Sequence, residues 1–203
     1  MASKDALWLN DVWSVYFHNP DDTSWTLDSY RRLGDLATVE DMWQMQLSIE
    51  PFVPTGMFFV MREHVFPCWD DRSNIEGGCV SIKVAARSAP AAWELMVKRA
   101  VGETLMADDT VWDELNGISI SPKRGFCIIK LWIRGLEHCT PTCFRTPPGY
   151  SGDVVVRSNM ENMNAFRLKT TTTPAAPGPE AEAEAEAEAD ADAQAHKGDA
   201  TPV

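Results

Sequence analysis

Nowhere in the 203 residues is there a run approaching the ~18–20 apolar side chains that a membrane-spanning helix needs. Met1–Trp8 also lacks the apolar stretch of a secretory signal. Cysteine is sparse: five, an odd number with no framework spacing, which argues against a disulfide scaffold and for a reducing compartment. The expected location is the cytoplasm, with the nucleus as a second. His138, Cys139 and Cys143 offer one Cys-x3-Cys pair with no second pair, so free thiols are expected there and no metal site. The four histidines, His18, His64, His138 and His196, are scattered, and no Gly-rich phosphate loop or carboxylate cluster on one helix occurs. A hydrolase or transferase acting on nucleotides would need a base, a nucleophile or a metal cluster. The chain therefore reads as a binding protein, not an enzyme, and no cofactor is expected.

Tyrosine is rare as well, three against eight tryptophans. Two of those tryptophans lie in turn-forming segments, Trp25 in Asn19-Pro-Asp-Asp-Thr-Ser-Trp25 and Trp69 in Pro67-Cys-Trp-Asp-Asp-Arg-Ser-Asn74. Pro, Asp, Asn and Ser favour loops because they fix φ or bond the local backbone. Rings carried on loop tips can reach water and stack on both faces of a flat ligand.

Charge is unevenly spread. The net charge is −12. Residues 1–115 carry nineteen acids against nine bases, whereas residues 116–173 carry eight bases against three acids. An acidic protein with one basic section can bind a polyanion locally without coating nucleic acid. From Pro174 to Val203 the chain is Pro-Ala-Ala-Pro-Gly-Pro followed by Glu-Ala and Asp-Ala repeats. It has little to bury, so residues 174–203 are expected to be a disordered acidic tail behind a single domain at 1–173.

The body alternates strand and helix signals. Trp13–Phe17 is β-rich and stops at Asn19-Pro20. Thr38 caps a helix whose stripe is Val39, Met42, Met45 and Ile49, closed by Pro51 and Pro54. Met57–Val60 and Gly78–Ala85 read as strands. A second helix opens at Ser88-Ala-Pro90 with Trp93, Val97, Ala100, Val101 and Leu105 as its stripe. Gly117–Ser121 and Phe126–Ile133 form a hairpin turned by Gly125. In that hairpin Ile118, Ile120, Cys127, Ile129, Leu131 and Ile133 share a face that the helices cover. Ser119, Ser121, Lys123, Phe126, Ile128, Lys130, Trp132 and Arg134 share the other, expected to be wet. The fold class is α+β, an antiparallel sheet with helices on one side and a working surface on the other.

Trp25, Trp69 and Trp132 with Asp70 suit a charged purine. Base–aromatic stacking contributes about 1–3 kcal/mol per base, and a cationic base adds cation–π attraction of about 0.5–2 kcal/mol. Asp70 is an acceptor-only carboxylate that can take the paired N1 and N2 donors of guanine, which adenine lacks. Lys123, Arg124 and Lys130 can neutralise phosphates. Asp70 and Asp71 equally suit turn formation, and Lys123-Arg124 equally suits a solvated hairpin tip.

Trp13-Ser-Val-Tyr-Phe17, Trp25, Thr38-Val-Glu-Asp-Met-Trp43, Pro67-Cys-Trp-Asp70, Gly77-Gly78 and Leu131-Trp132 resemble, in order and spacing, the translation initiation factor 4E family, which binds the methylated cap of messenger RNA. The resemblance covers about residues 8–170. It implies a curved antiparallel sheet of about eight strands, helices on its convex face and a cap slot on its concave face. It implies that Trp25 and Trp69 sandwich 7-methylguanine, that Asp70 reads the guanine edge and that Trp132 lies against the N7-methyl group. It implies a scaffold partner of the 4G type, or another binding protein, laid across Val39 and Trp43, although Trp43, next to Met42, equally suits the core. The departures are Asp70 where the family usually has Glu, Cys79 where it has Arg, and Ile128 at a basic phosphate position, for which Lys130 is expected to substitute with help from Arg124. In the second helix Glu94, Leu95 and Lys98 stand at positions where the family has Leu, Glu and Leu, which implies a distinct partner motif, or a partner that grips through Val39, Trp43 and the Trp8 segment. These departures resemble divergent kinetoplastid paralogues, whose mRNA caps carry extra methyl groups. The alternative reading is a paralogue of weak cap affinity that acts as a protein-interaction or repressor module.

Overall fold

The computed structural model describes residues 6–147, 150 and 152–172; the expected tail at 174–203 lies outside them. Among the described residues seven strands make one curved antiparallel sheet, where the resemblance implies about eight. In chain order they are β1 (Trp8–His18), β2 (Tyr30–Thr38), β3 (Met57–Arg62), β4 (Gly78–Ala85), β5 (Leu115–Lys123), β6 (Phe126–Ile133) and β7 (Val155–Ser158). Their spatial order is β2-β1-β3-β5-β6-β4-β7, so β2 and β7 are the two edges. The helices are α1 (Val39–Ile49), α2 (Ala89–Val101) and α3 (Asn159–Thr172).

α1 begins where Thr38 Oγ1 accepts from the Asp41 amide at 3.1 Å and the Asp41 carboxylate accepts from the Thr38 amide at 2.9 Å. This reciprocal box satisfies two amides that the first helical turn leaves without partners. α2 has Pro90 in its first turn and buries Trp93, Met96, Val97, Ala100 and Val101 against the sheet. The hairpin β5–β6 turns at Arg124-Gly125, where Gly125 has φ +88°, a value that favours glycine. Its alternation is as the sequence implies: Ile118, Ile120, Cys127, Ile129, Leu131 and Ile133 all lie in the core beneath α1 and α2.

The opposite face is not wet. Ser119, Ser121, Lys130 and Trp132 are buried there. A second apolar cluster covers it, built from Tyr30, Met57, Phe59, Met61, Val65, Trp69, Cys79, Trp132 and Met163. β3 explains this. Its six residues are buried without alternation, because Phe58 and Val60 enter the helix-side core while Met57, Phe59 and Met61 enter the second cluster. A strand apolar on both faces requires cover on both. That cover comes from the loops bearing Trp25 and Trp69 and from Met163 of α3.

Candidate nucleotide-binding face

Three sequence elements converge on the second cluster. The first is the 19–26 loop. Asp22 Oδ1 accepts from the Ser24 amide at 2.8 Å, and His18 Nε2 lies 3.0 Å from the Ser24 carbonyl, tying the loop back to the end of β1. Trp25 follows directly. Its ring lies parallel to His18, 4.0 Å between centroids and 7° between planes, with Tyr30 edge-on at 6.0 Å.

The second is the segment between β3 and β4, held by buried asparagines. Asn74 Nδ2 donates to the carbonyls of Phe66 and Cys68 at 3.0 and 2.9 Å. Asn116 Nδ2 donates to Asn74 Oδ1 and to the Ser73 carbonyl, and Asn159 Nδ2 to the Asn74 carbonyl at 2.7 Å. Asp71 accepts from the amides of Ser73 and Phe66, so it is the turn former of the acidic pair. Asp70 is exposed. Burial, then a hydrogen bond with Asp70 and its negative charge, push the Cys68 thiol up to about 12. Trp69 does not project into water: it is 5 % exposed and packs into the cluster. Gly77 ends the loop, and a Cβ there would sit 1.9 Å from the Ile133 carbonyl oxygen, so this close backbone approach admits only glycine.

The third is the sheet itself. Trp132 is fully buried and its Nε1 donates to Ser119 Oγ at 3.1 Å. Residues paired directly across antiparallel strands point to the same face. Trp132 pairs with Cys79, and Cys79 with Arg157, which makes one row across β6, β4 and β7. Lys130 stands two residues from Trp132 in the neighbouring row, between Ser119 and Ser81, and is 5 % exposed. Lys123 is half-buried and Arg124 is exposed at the hairpin turn.

Thus Trp25, Trp69 and Trp132 share one cluster, Asp70 adjoins Trp69, and Lys130 flanks Trp132. Sequence reasoning missed Asn74, Asn116, Asn159, His18 and Arg157. The asparagines resemble any loop polar residue in the sequence. Arg157 gains meaning only from its pairing with Cys79, on a strand too short to read.

Val39 and Trp43 lie on the other side of the sheet, on α1. Trp43 is 41 % exposed, so it is not core. Lys98 Nζ lies 5.2 Å from its ring centroid and 2.7 Å from Glu94 Oε1. The Val39 amide donates to the Leu7 carbonyl at 2.8 Å, which sets the exposed Leu7 and Trp8 beside the start of α1.

All five cysteines are free thiols. Burial pushes Cys139 up to about 12. Among the described residues no group of three or more potential ligands could hold a metal, and no helix is long and apolar enough to cross a membrane.

The sequence matches the family model for eukaryotic initiation factor 4E over residues 8–142. The chain belongs to the eukaryotic initiation factor 4E family. It is 27 % identical over 138 residues to translation initiation factor 4E of Eremothecium gossypii, a match covering 64 % of each chain. It is 29 % identical over 134 residues to the factor of Saccharomyces cerevisiae, covering 62 % of this chain and 61 % of the yeast one. The chain thus spans less than two thirds of the length of these curated relatives. Among solved structures, the fold is similar to C. elegans eIF4E-3 in complex with the 4E-binding protein Mextli, with a TM-score of 0.59 at 20 % identity over 66 % of this chain and 78 % of that one. It is also similar to Ascaris suum eIF4E-3 in complex with an m7G cap, with a TM-score of 0.57 at 18 % identity over 64 % and 75 % of the two chains.

Proposed function

We propose that this protein binds the 5′ 7-methylguanosine cap of messenger RNA in translation initiation, by recognition and without catalysis, and engages a scaffold or binding protein through α1. The observation that carries this reading is the clustering of Trp25, Trp69 and Trp132 on the face of the sheet away from α1 and α2, with the Asp70 carboxylate beside Trp69. Membership of the initiation factor 4E family supports a cap as the ligand class. In this reading Trp25 and Trp69 stack the cationic base, Asp70 accepts from guanine N1 and N2, and Trp132 meets the methyl group. Lys130 and Arg157, in adjacent rows of one face, take the phosphates with Lys123 and Arg124. The partner grips Val39, Trp43 and the Leu7-Trp8 segment, and its contact over Trp43 accommodates Lys98.

Titration with 7-methyl-GTP should quench tryptophan emission and leave the ligand intact, with unmethylated GTP far weaker. Identical responses to both nucleotides would sink the reading. Charge reversal of Lys130 or Arg157 should weaken binding of 7-methyl-GTP more than of 7-methylguanosine; equal losses would remove these two side chains from the phosphate site. A cap carrying extra methyl groups on its first nucleotides, compared in the same titration, reads whether the ligand is the hypermethylated form.

Burial of Trp69 favours a second reading, a paralogue of weak cap affinity that mainly sequesters partners. Opening the loop would then cost part of the stacking energy. A 7-methyl-GTP dissociation constant in the high micromolar range or above, beside tight partner capture, would decide for it.

A further inference from the structure

Phe126 and Lys83 have no part in the reading above, yet they stand on the same face of the sheet. Trp132, on β6, enters the second cluster, so Lys130, Ile128 and Phe126, at two-residue steps, share its face. Register carries that face across the neighbouring strands: Phe126 pairs with Lys123, and Ile128 stands between Ser121 and Lys83. At about 3.4 Å per residue, Phe126 lies about 20 Å along β6 from Trp132. Its ring is half-buried, and the exposed Lys83 places Nζ 4.0 Å from the ring centroid. The Ala86 amide donates to the Gly125 carbonyl at 3.4 Å, which brings the segment bearing the exposed Arg87 beside the turn bearing the exposed Arg124. In a chain of net charge −12, the strands β4, β5 and β6 hold no Asp or Glu.

A ring flanked by cations on an acid-free surface suits a single-stranded nucleic acid, in which every base offers a π face and every phosphate a charge. An acidic peptide would use the cations and offer nothing flat to the ring. The cations proposed for the phosphates of the cap already step from Lys130 toward Lys123 and Arg124 at the turn, so the polyanion runs toward Phe126. We propose that the hairpin end of this face binds the RNA that follows the cap, with Phe126 stacking a base and Lys83 and Arg87 taking phosphates; this rests on the cap-binding reading. In the free protein the Lys83 ammonium lies against the ring. An exposed cation–π contact is weaker than a base stack, and the flexible stem of lysine lets the ammonium swing to a phosphate as the base arrives. Stacking and charge read no base edge, so the site tolerates any sequence.

The test compares dissociation constants for three ligands: 7-methyl-GTP, a capped RNA of four nucleotides, and the same capped chain with those four bases removed. The wild type should bind the capped RNA about tenfold more tightly than 7-methyl-GTP, and the abasic chain should gain less. Phe126→Ala should erase the difference between the two chains and leave 7-methyl-GTP unchanged, and Phe126→Tyr should keep the difference. Lys83→Gln should lower the slope of log affinity against log salt by about 0.7 for the capped RNA, the value of one lost phosphate contact, and leave the slope for 7-methyl-GTP alone. Equal wild-type affinity for all three ligands, or a preference for the chain with bases that survives Phe126→Ala, would overturn the inference and leave cap binding intact. Equal losses for 7-methyl-GTP and capped RNA in Phe126→Ala would also overturn it, because the damage would then lie in the cap slot. Failure of the wild type to bind 7-methyl-GTP would overturn cap binding and this inference together.

Discussion

Asn74 carries more of the site's geometry than any single tryptophan. Its side chain satisfies the carbonyls of Phe66 and Cys68 and receives Asn116, and its own carbonyl receives Asn159. Asn74→Ala leaves buried polar groups without partners, each costing about 1–3 kcal/mol. The expected result is a loss of about 2–3 kcal/mol in urea denaturation, with a weaker 7-methyl-GTP response because Trp69 rides on the same loop. A variant that keeps full affinity would show that the loop holds its shape by other means. Trp25 and Trp69 stand out in the sequence because tryptophan is unusual in turn-forming segments, whereas Asp70 and Trp132 gain their proposed roles from the company they keep. The asparagines do not stand out, since hydrogen bonding between residues 42 and 85 positions apart leaves no local trace. Cys79 conveys only a lost charge when read alone; the arginine facing it from β7 emerges from register.

β4 and β6 begin and end where their alternation says they should, at Gly78–Ala85 and Phe126–Ile133. β2 escaped notice because Tyr-Arg-Arg-Leu-Gly-Asp-Leu-Ala-Thr is polar on its exposed positions and belongs to an edge. β7, four residues long, and α3, opening with Asn-Met-Glu-Asn-Met-Asn, carry too few apolar positions to declare a period. α1 was legible from its cap, and the cap has a pH consequence. A hydrogen bond with the Thr38 side chain, together with the amides of Ala37 and Thr38, holds the Asp41 carboxyl below the usual carboxylate range against the opposing effect of burial. A carboxyl depressed in the folded state adds stability that is complete above its unfolded value, about 3.9, and is lost as the pH falls below it. Asp41→Asn should therefore lower Tm at pH 7, and its difference from wild type should shrink as the pH is lowered toward about 3. A constant difference from pH 7 to that point would assign the loss to geometry alone. Thr38→Ala, which removes the other half of the box, should cost about 1 kcal/mol.

Across the molecule, one side chain joins the sheet to the helical layer. Arg62, at the end of β3, is buried between Trp13 and Trp112 at 4.7 and 5.3 Å. It donates to Asp11, to both oxygens of Glu103 and to the Leu115 carbonyl. Arg62→Ala strands Glu103, which is mostly buried, and should cost about 3–5 kcal/mol in urea denaturation. Asp11 is more open to water, so Asp11→Asn should cost less than about 1 kcal/mol. Similar losses for the two variants would mean that the inner carboxylate is not the critical one. An open sheet also leaves two rims of backbone amides and carbonyls without neighbours. Here one rim bears Arg31, Arg32 and Asp35, the latter two ion-paired at 2.5 Å, and its register against β1 slips between Val15 and Tyr16. The other rim is four residues long. Charged and irregular rims deter a second copy from zipping alongside. Concentrated solutions should therefore stay monodisperse by light scattering, and exchanging Arg31 and Arg32 for valine should start the growth of intermolecular β-structure that the native border forbids.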